Sequence, residues 1–295
     1  MRSAECGVGR AAWGVRGGRG GGQLAGGRTA QPLMTSPLSD RLEGALGVIG
    51  GTVGIRLLNY ASRGGTVSSY PAVATAYAGR SKLEVLFGPD VWDAVRGKVV
   101  LDFGCGEGNE AVDVALHDAQ QVIGLDLYDK WIHASARLAE SRGVSSRCVF
   151  GREWHEPVDV ILSVDSFEHF SDPADILQKM RGLLKPDGCV LASFGPTWYH
   201  PLGGHFFSVF PYAHVLCSES ALVKWRSLYK KDGARNFTES GLNRMTIRKF
   251  EELVARSPFR FARFEAVPIR RLRPVANRFT REFTTAIVRC TLVPR

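Results

Sequence analysis

Long apolar runs are missing from this sequence. The longest candidate, 45–58, is interrupted by Arg56 and thinned by four glycines, well short of the roughly eighteen residues that a spanning helix needs. Zinc-type spacing is missing too. The six cysteines (Cys6, Cys105, Cys148, Cys189, Cys217 and Cys290) are widely scattered, with no CxxC and no Cys/His ligand spacing. That scatter fits reduced thiols and a cytoplasmic location better than a secreted disulfide framework. No internal repeat is present. With 44% hydrophobic and 23% charged residues over 295 positions, a wholly disordered or collagen-like chain is excluded. The length suits one large α/β domain or two small ones.

The net charge of +9 is unevenly spread: residues 1–33 carry +4, residues 34–220 carry −7 and residues 221–295 carry +12. A basic C-terminal quarter attracts an anionic substrate, a phospholipid surface or RNA, and a solvated face of Arg side chains gives the same sum. Residues 1–33 are Gly- and Arg-rich without hydrophobic periodicity, so they are expected to be a disordered extension. Gly17, Gly18 and Gly20 to Gly22 oppose the amphipathic helix of a transit peptide. An RGG-like RNA-binding tail would be short. The reading favoured here is an upstream extension before a start at Met34.

Residues 34–98 read as a helical N-terminal cap, with Asp40 as N-cap before RLEGALGVIGG. Beyond Lys98 the rhythm changes to short β-branched runs alternating with amphipathic stretches, which predicts βαβ units. The strand runs are 99–103, 121–125, 147–150, 158–164 and 189–194, with helices near 109–119, 130–141 and 174–184. Asp172 and Pro173 supply the last helix with an N-cap and a first-position proline. Nearly all-apolar strands imply a parallel sheet covered on both faces. Helices over 219–232 and 247–257 and strand runs at 259–267 and 283–293 complete the pattern.

The strand Val99–Phe103 feeds Gly104-Cys105-Gly106-Glu107-Gly108 and then a helix. Such glycines admit positive φ and let a ligand approach bare main chain, at the crevice where open parallel sheets bind nucleotide-like ligands. A dinucleotide fingerprint would need its last glycine where Asn109 stands, and a P-loop is excluded because no Gly-Lys-Ser/Thr follows. Asp102 would repel a pyrophosphate but suits a ligand carrying an ammonium and a sulfonium. Asp126, ending the next strand, is placed to accept hydrogen bonds from ribose hydroxyls.

Asp102-x-Gly104-x-Gly106-x-Gly108 with Asp126 resembles the S-adenosylmethionine site of the class I methyltransferases. The run Val158–Phe170 and the turn Leu183–Gly188 resemble the family's later motifs, in order and with matching spacing. The resemblance covers residues 75–295. It implies a three-layer Rossmann-like α/β fold, with a seven-stranded, mainly parallel sheet whose last strand is antiparallel. The methyltransferase domain would span 99–295, with a substrate insert at about 199–246. The cofactor implied is S-adenosyl-L-methionine. Gly104, Cys105 and Gly106 would line its methionine part and Asp102 would lie near its ammonium. Asp126 would hold the ribose and Leu127 would lie against the adenine, with a polar contact from Arg152 or Glu153. Asp165 and Ser166 would face the methyl group.

The strand-four segment Asp165-Ser166-Phe167-Glu168 lacks the Pro-Pro tetrad of nucleic-acid amine methyltransferases, and the Pro-Cys nucleophile of cytosine-C5 enzymes is absent too. The resemblance therefore points to a small-molecule acceptor, methylated on oxygen, rather than to nucleic acid. An oxygen acceptor needs a base. His169, His200 and His205 are the candidates, the last two on an aromatic loop with a Gly203-Gly204 hinge. No metal is expected, because His200, His205 and His214 lack ligand spacing and nearby carboxylates. Lys224, Arg226, Lys230, Lys231, Arg270, Arg271 and Arg273 suggest a cationic rim for an anionic or lipid-linked acceptor, with peripheral contact to an anionic membrane surface. An RNA or protein methyltransferase and a non-catalytic cofactor-binding protein are the competing readings.

Overall fold

The apolar runs that begin at Val99 form a single sheet in the computed structural model, which describes residues 47–62 and 79–295. The 1–33 extension, Asp40 and much of the N-terminal cap lie outside the described residues. Strands β1 (Val99–Phe103), β2 (Gln121–Leu125), β3 (Cys148–Gly151), β4 (Val158–Val164), β5 (Leu184–Phe194), β6 (Phe259–Pro268) and β7 (Thr285–Pro294) are ordered β3-β2-β1-β4-β5-β7-β6. The first five pair in parallel, and β7 runs antiparallel to both β5 and β6. This is the expected three-layer Rossmann-like sheet with an antiparallel last strand.

Alternation along each strand divides the core in two. Val100, Val122, Val160 and Leu191 pack with Leu83, Phe87, Val112 and Ala139 on one face. Leu101, Ile123, Ile161 and Val190 pack with Leu177, Met180, Phe250 and Val254 on the other. Burial of each such side chain contributes about 1.5–3 kcal/mol. Parallel pairing aligns Asp102 with Gly124 on β2 and Leu162 on β4. The ends of β1, β2 and β4 therefore open onto one crevice.

Local chemistry sets the helix ends. The Asp172 carboxylate accepts the N–H groups of Ala174 and Asp175, both at 3.0 Å, and Pro173 opens the Pro173–Leu183 helix. The helix expected over 219–232 stops at Arg226. There the guanidinium turns to Asp232 at 2.7 Å, and the intervening residues fold back to make that pair. Glu282, distant in sequence, accepts the Ile247 and Arg248 N–H groups at the start of the Ile247–Ala255 helix.

The insert builds a third core of its own, with Trp198, Phe207, Leu222, Trp225 and Phe237 among its buried members. Residues 47–62 join this core. Leu58, on the Gly51–Ala61 helix, is fully buried in it, and Ile49 bridges Cys217 in parallel. No helix among the described residues is long and apolar enough to cross a membrane.

Candidate active site

The glycine turn after β1 is held from behind by β2. Leu125 O accepts the N–H groups of both Gly104 and Cys105 at 2.9 Å. Asp126 then reaches back, with Oδ2 accepting Gly106 N–H at 3.1 Å and Oδ1 accepting Tyr128 N–H at 3.0 Å. A carboxylate offers about four acceptor positions, so capacity remains for a ligand. Gly106 has φ +52°, and a Cβ built there meets nothing within 4 Å: bare main chain faces open space. At Gly108 the need is the opposite, since with φ +81° an added Cβ would lie 2.6 Å from Ser135 Cβ.

Asp102 lies beneath this turn, 2% exposed. Its Oδ2 has no hydrogen-bond partner among the described residues. Burial, with Glu110 adding to it, pushes its carboxyl up to about 8. An unsatisfied buried acceptor is costly, and an ammonium-bearing ligand would relieve that cost. Lys82 stands close by, with Nζ 3.0 Å from Glu110 and 2.9 Å from Asp165. Burial alone would lower its pKa, but the two carboxylates raise it. Asp165 adopts φ +51° directly after β4. Ser166 sits against the glycine turn, its Oγ 2.8 Å from where a Cβ on Gly104 would be.

Beyond β4 the crevice is lined by side chains instead of main chain. Glu168 is buried; its Oε1 accepts Gly195 N–H at 3.1 Å, and burial and then Asp165 raise its pKa. His169 Nδ1 lies 2.6 Å from Gly241 O, and the His169 and His205 rings are 5.2 Å apart, edge to face. Burial holds His205 at about 4. His200 is held at about 4 for the same reason, and its Nδ1 accepts Leu202 N–H at 2.9 Å.

The structure thus brings together Asp102, Gly104, Cys105, Gly106 and Asp126, with Asp165 and Ser166 across the turn. Leu127 is 76% exposed at the rim, open to a ligand. Arg152 instead forms a two-pronged pair with Asp129 at 2.9 and 2.7 Å, and Glu153 is exposed beside His155. His169 and His205 meet, whereas His200 faces its own loop. Sequence reasoning missed Lys82, for which the only local signal is its place just after the helix-capping Ser81. It also missed Asn243, whose amide donates to Phe167 O and Phe170 O and so fixes the segment carrying Glu168 and His169.

Residues 101–190 match a family model described as a methyltransferase domain. That stretch runs from β1 into β5 and holds the glycine turn, Asp126 and Glu168. Over 106 residues it is 33% identical to a ubiquinone biosynthesis O-methyltransferase of Neisseria meningitidis, covering 34% of this chain and 44% of that protein. Over 119 residues it is 32% identical to the tRNA 5-carboxymethoxyuridine methyltransferase of Escherichia coli, covering 36% and 45%. A ribosomal protein L11 methyltransferase of Photobacterium profundum is 34% identical over 93 residues, covering 31% and 32%. The chain therefore spans less than half the length of these relatives.

Proposed function

We propose that this chain transfers a methyl group from S-adenosylmethionine to a hydroxyl oxygen of a small, anionic or lipid-linked acceptor. The observation that carries the cofactor reading is the pair of carboxylates, one strand apart, around the open main chain of Gly106. Asp102 would take the ammonium on its unsatisfied oxygen, and Gly104 to Gly106 would lie along the methionine part. Asp126 would accept from the ribose, with Leu127 against the adenine. When bound, the cofactor supplies an electrophilic methyl on a sulfonium. The protein's task is then to align an acceptor oxygen in line with it, in a crevice closed to water.

An oxygen acceptor is supported by the gathering of Glu168, His169 and His205, side chains able to draw a proton from a hydroxyl. Support for an anionic acceptor comes from the exposed Arg270, Arg271 and Lys231. Arg226 is removed from the expected rim, since its side chain is buried against Asp232. A cytoplasmic location belongs to the same reading. Transfer to RNA is the second reading, favoured by the +12 charge of residues 221–295 and by the tRNA-modifying relative.

Labelled S-adenosylmethionine, offered with a metabolite extract and with bulk tRNA in parallel, separates them. Label in a small hydroxylated product, with a rate that falls as salt rises, is the expected result. Label in tRNA alone would move the assignment to the second reading.

A further inference from the structure

Three potential ligand groups converge beside the crevice from separate parts of the chain. Glu168 and His169 follow β4, and His205 comes from the insert; one ligand atom of each lies within 4.8 Å of those of the other two. What distinguishes them from a chance cluster is how each is held. Gly241 O can only accept, so His169 Nδ1 carries the proton and Nε2 keeps a lone pair. Pro196 has only a carbonyl to offer, so the His205 ring donates to it through one nitrogen and keeps a lone pair on the other. Gly195 N–H fixes Glu168 Oε1, while the buried Oε2 has no hydrogen-bond partner among the described residues. Main-chain groups that orient an imidazole or carboxylate from outside are what a metal site requires.

We propose that Glu168, His169 and His205 bind a divalent first-row transition-metal cation whose open positions face the acceptor. Two imidazoles with one carboxylate select zinc, manganese, iron or cobalt over magnesium and calcium, which prefer oxygen ligands throughout. Bonds of about 2.0–2.2 Å place ligand atoms about 3.3 Å apart in a tetrahedral site, within reach of small side-chain movements from the separation found. His169 is exposed and gives the ion a way in. The metal was not expected from the sequence because that reading grouped His205 with His200 and His214. Their partners lie elsewhere: His214 Nε2 is 2.6 Å from Trp198 O.

The consequence for chemistry rests on the proposed function: an acceptor hydroxyl that ligates the cation becomes more acidic. The acceptor class narrows to hydroxylated compounds with an oxygen free to bind a metal, such as a catechol or a hydroxy acid.

The test uses the full chain, stripped with a chelator and titrated with Co²⁺ as a spectroscopic probe and Zn²⁺ by calorimetry. One ion per chain is expected, with visible Co²⁺ bands of a nitrogen- and oxygen-ligated site. Because His169 is exposed, His169→Ala should fold normally, and its affinity should fall by more than the roughly 10–100-fold typical of losing an outer partner. Glu168→Gln should do the same. Less than a tenth of an ion per chain, or unchanged affinity in both variants, would overturn the site. Mg²⁺ binding as tightly as Zn²⁺ would overturn the proposed class of ion. S-adenosylmethionine titrated into the same samples separates the two claims. Cofactor binding without metal sinks only this inference, and metal binding without cofactor sinks the methyltransferase reading.

Discussion

The two ends of the crevice are made of different material. At the β1–β2 end the wall is main chain: Gly104 and Gly106 at positive φ, tied down by Leu125 O and the Asp126 carboxylate. At the β4–β5 end it is side chain, with Glu168, His169 and His205 drawn together from segments more than thirty residues apart. A main-chain cradle fits one shape and is written in a short run of glycines. A chamber of side chains can be rebuilt for a new acceptor without disturbing the sheet. On the proposed function, such a division would let similar domains serve relatives named for ubiquinone biosynthesis, tRNA and a ribosomal protein.

The sharpest way to break the comparison is Asp126→Ala. It removes both the tether on Gly106 and the proposed ribose acceptor. Hydrogen bonds to a charged group are worth about 1.5–3 kcal/mol each, so calorimetry should show S-adenosylmethionine binding about 10²-fold more weakly. Unchanged affinity would mean that the cradle does not hold the ribose.

Gly106→Ala is subtler. The backbone penalty of a left-handed non-glycine residue is about 1–2 kcal/mol, and the added methyl meets no protein atom. Thermal unfolding should therefore shift only slightly, while cofactor affinity falls about 10-fold because the methyl projects into ligand space. A large loss of stability with normal binding would show that the turn is structural only.

A last contrast concerns pH: Asp102 in the crevice and His214 in the core of the insert should titrate in opposite senses. Asp102 has its carboxyl raised from 3.8 to about 8. The folded state keeps a proton that the unfolded chain gives up, so its contribution is full below pH ~4 and is lost as pH rises towards 8. In His214 the ring is lowered from 6.5 to about 4 by burial. Its contribution is present above pH ~6.5 and is lost as pH falls towards 4. Denaturant midpoints at several pH values should flatten the alkaline side in Asp102→Asn and the acid side in His214→Asn. Parallel profiles in wild type and both variants would remove the contrast.

Much of the first end was legible in the sequence because it depends on neighbours in the chain. Strands β1, β2 and β4 begin and end where their apolar runs do, and Asp172-Pro173 starts a helix as its chemistry requires. The glycine spacing located the turn, and the strand-ending Asp126 located its tether. The second end was legible only as separate residues. His169 and His205 both stood out, yet nothing local says that Gly241 and Pro196 orient their rings or that Glu168 completes the group. Lys82 reached the site from a helix with no motif of its own. The helix expected to run to Asp232 stopped at Arg226 because an ion pair outweighed a periodic pattern. Arg152 took Asp129 as its partner across a distance that no window spans.

The placement of β7 between β5 and β6 has a consequence for assembly. Strand β6 is synthesised first but reaches the sheet only through β7, whose register runs from Thr285 to Pro294. On the ribosome, a nascent chain that has emerged only as far as the 259–268 segment has no partner for it, and the β5 edge stays bare. Those ten late residues act as a zip for two strands at once. A frameshift or a nick just ahead of them would unfasten the border of the sheet rather than trim it.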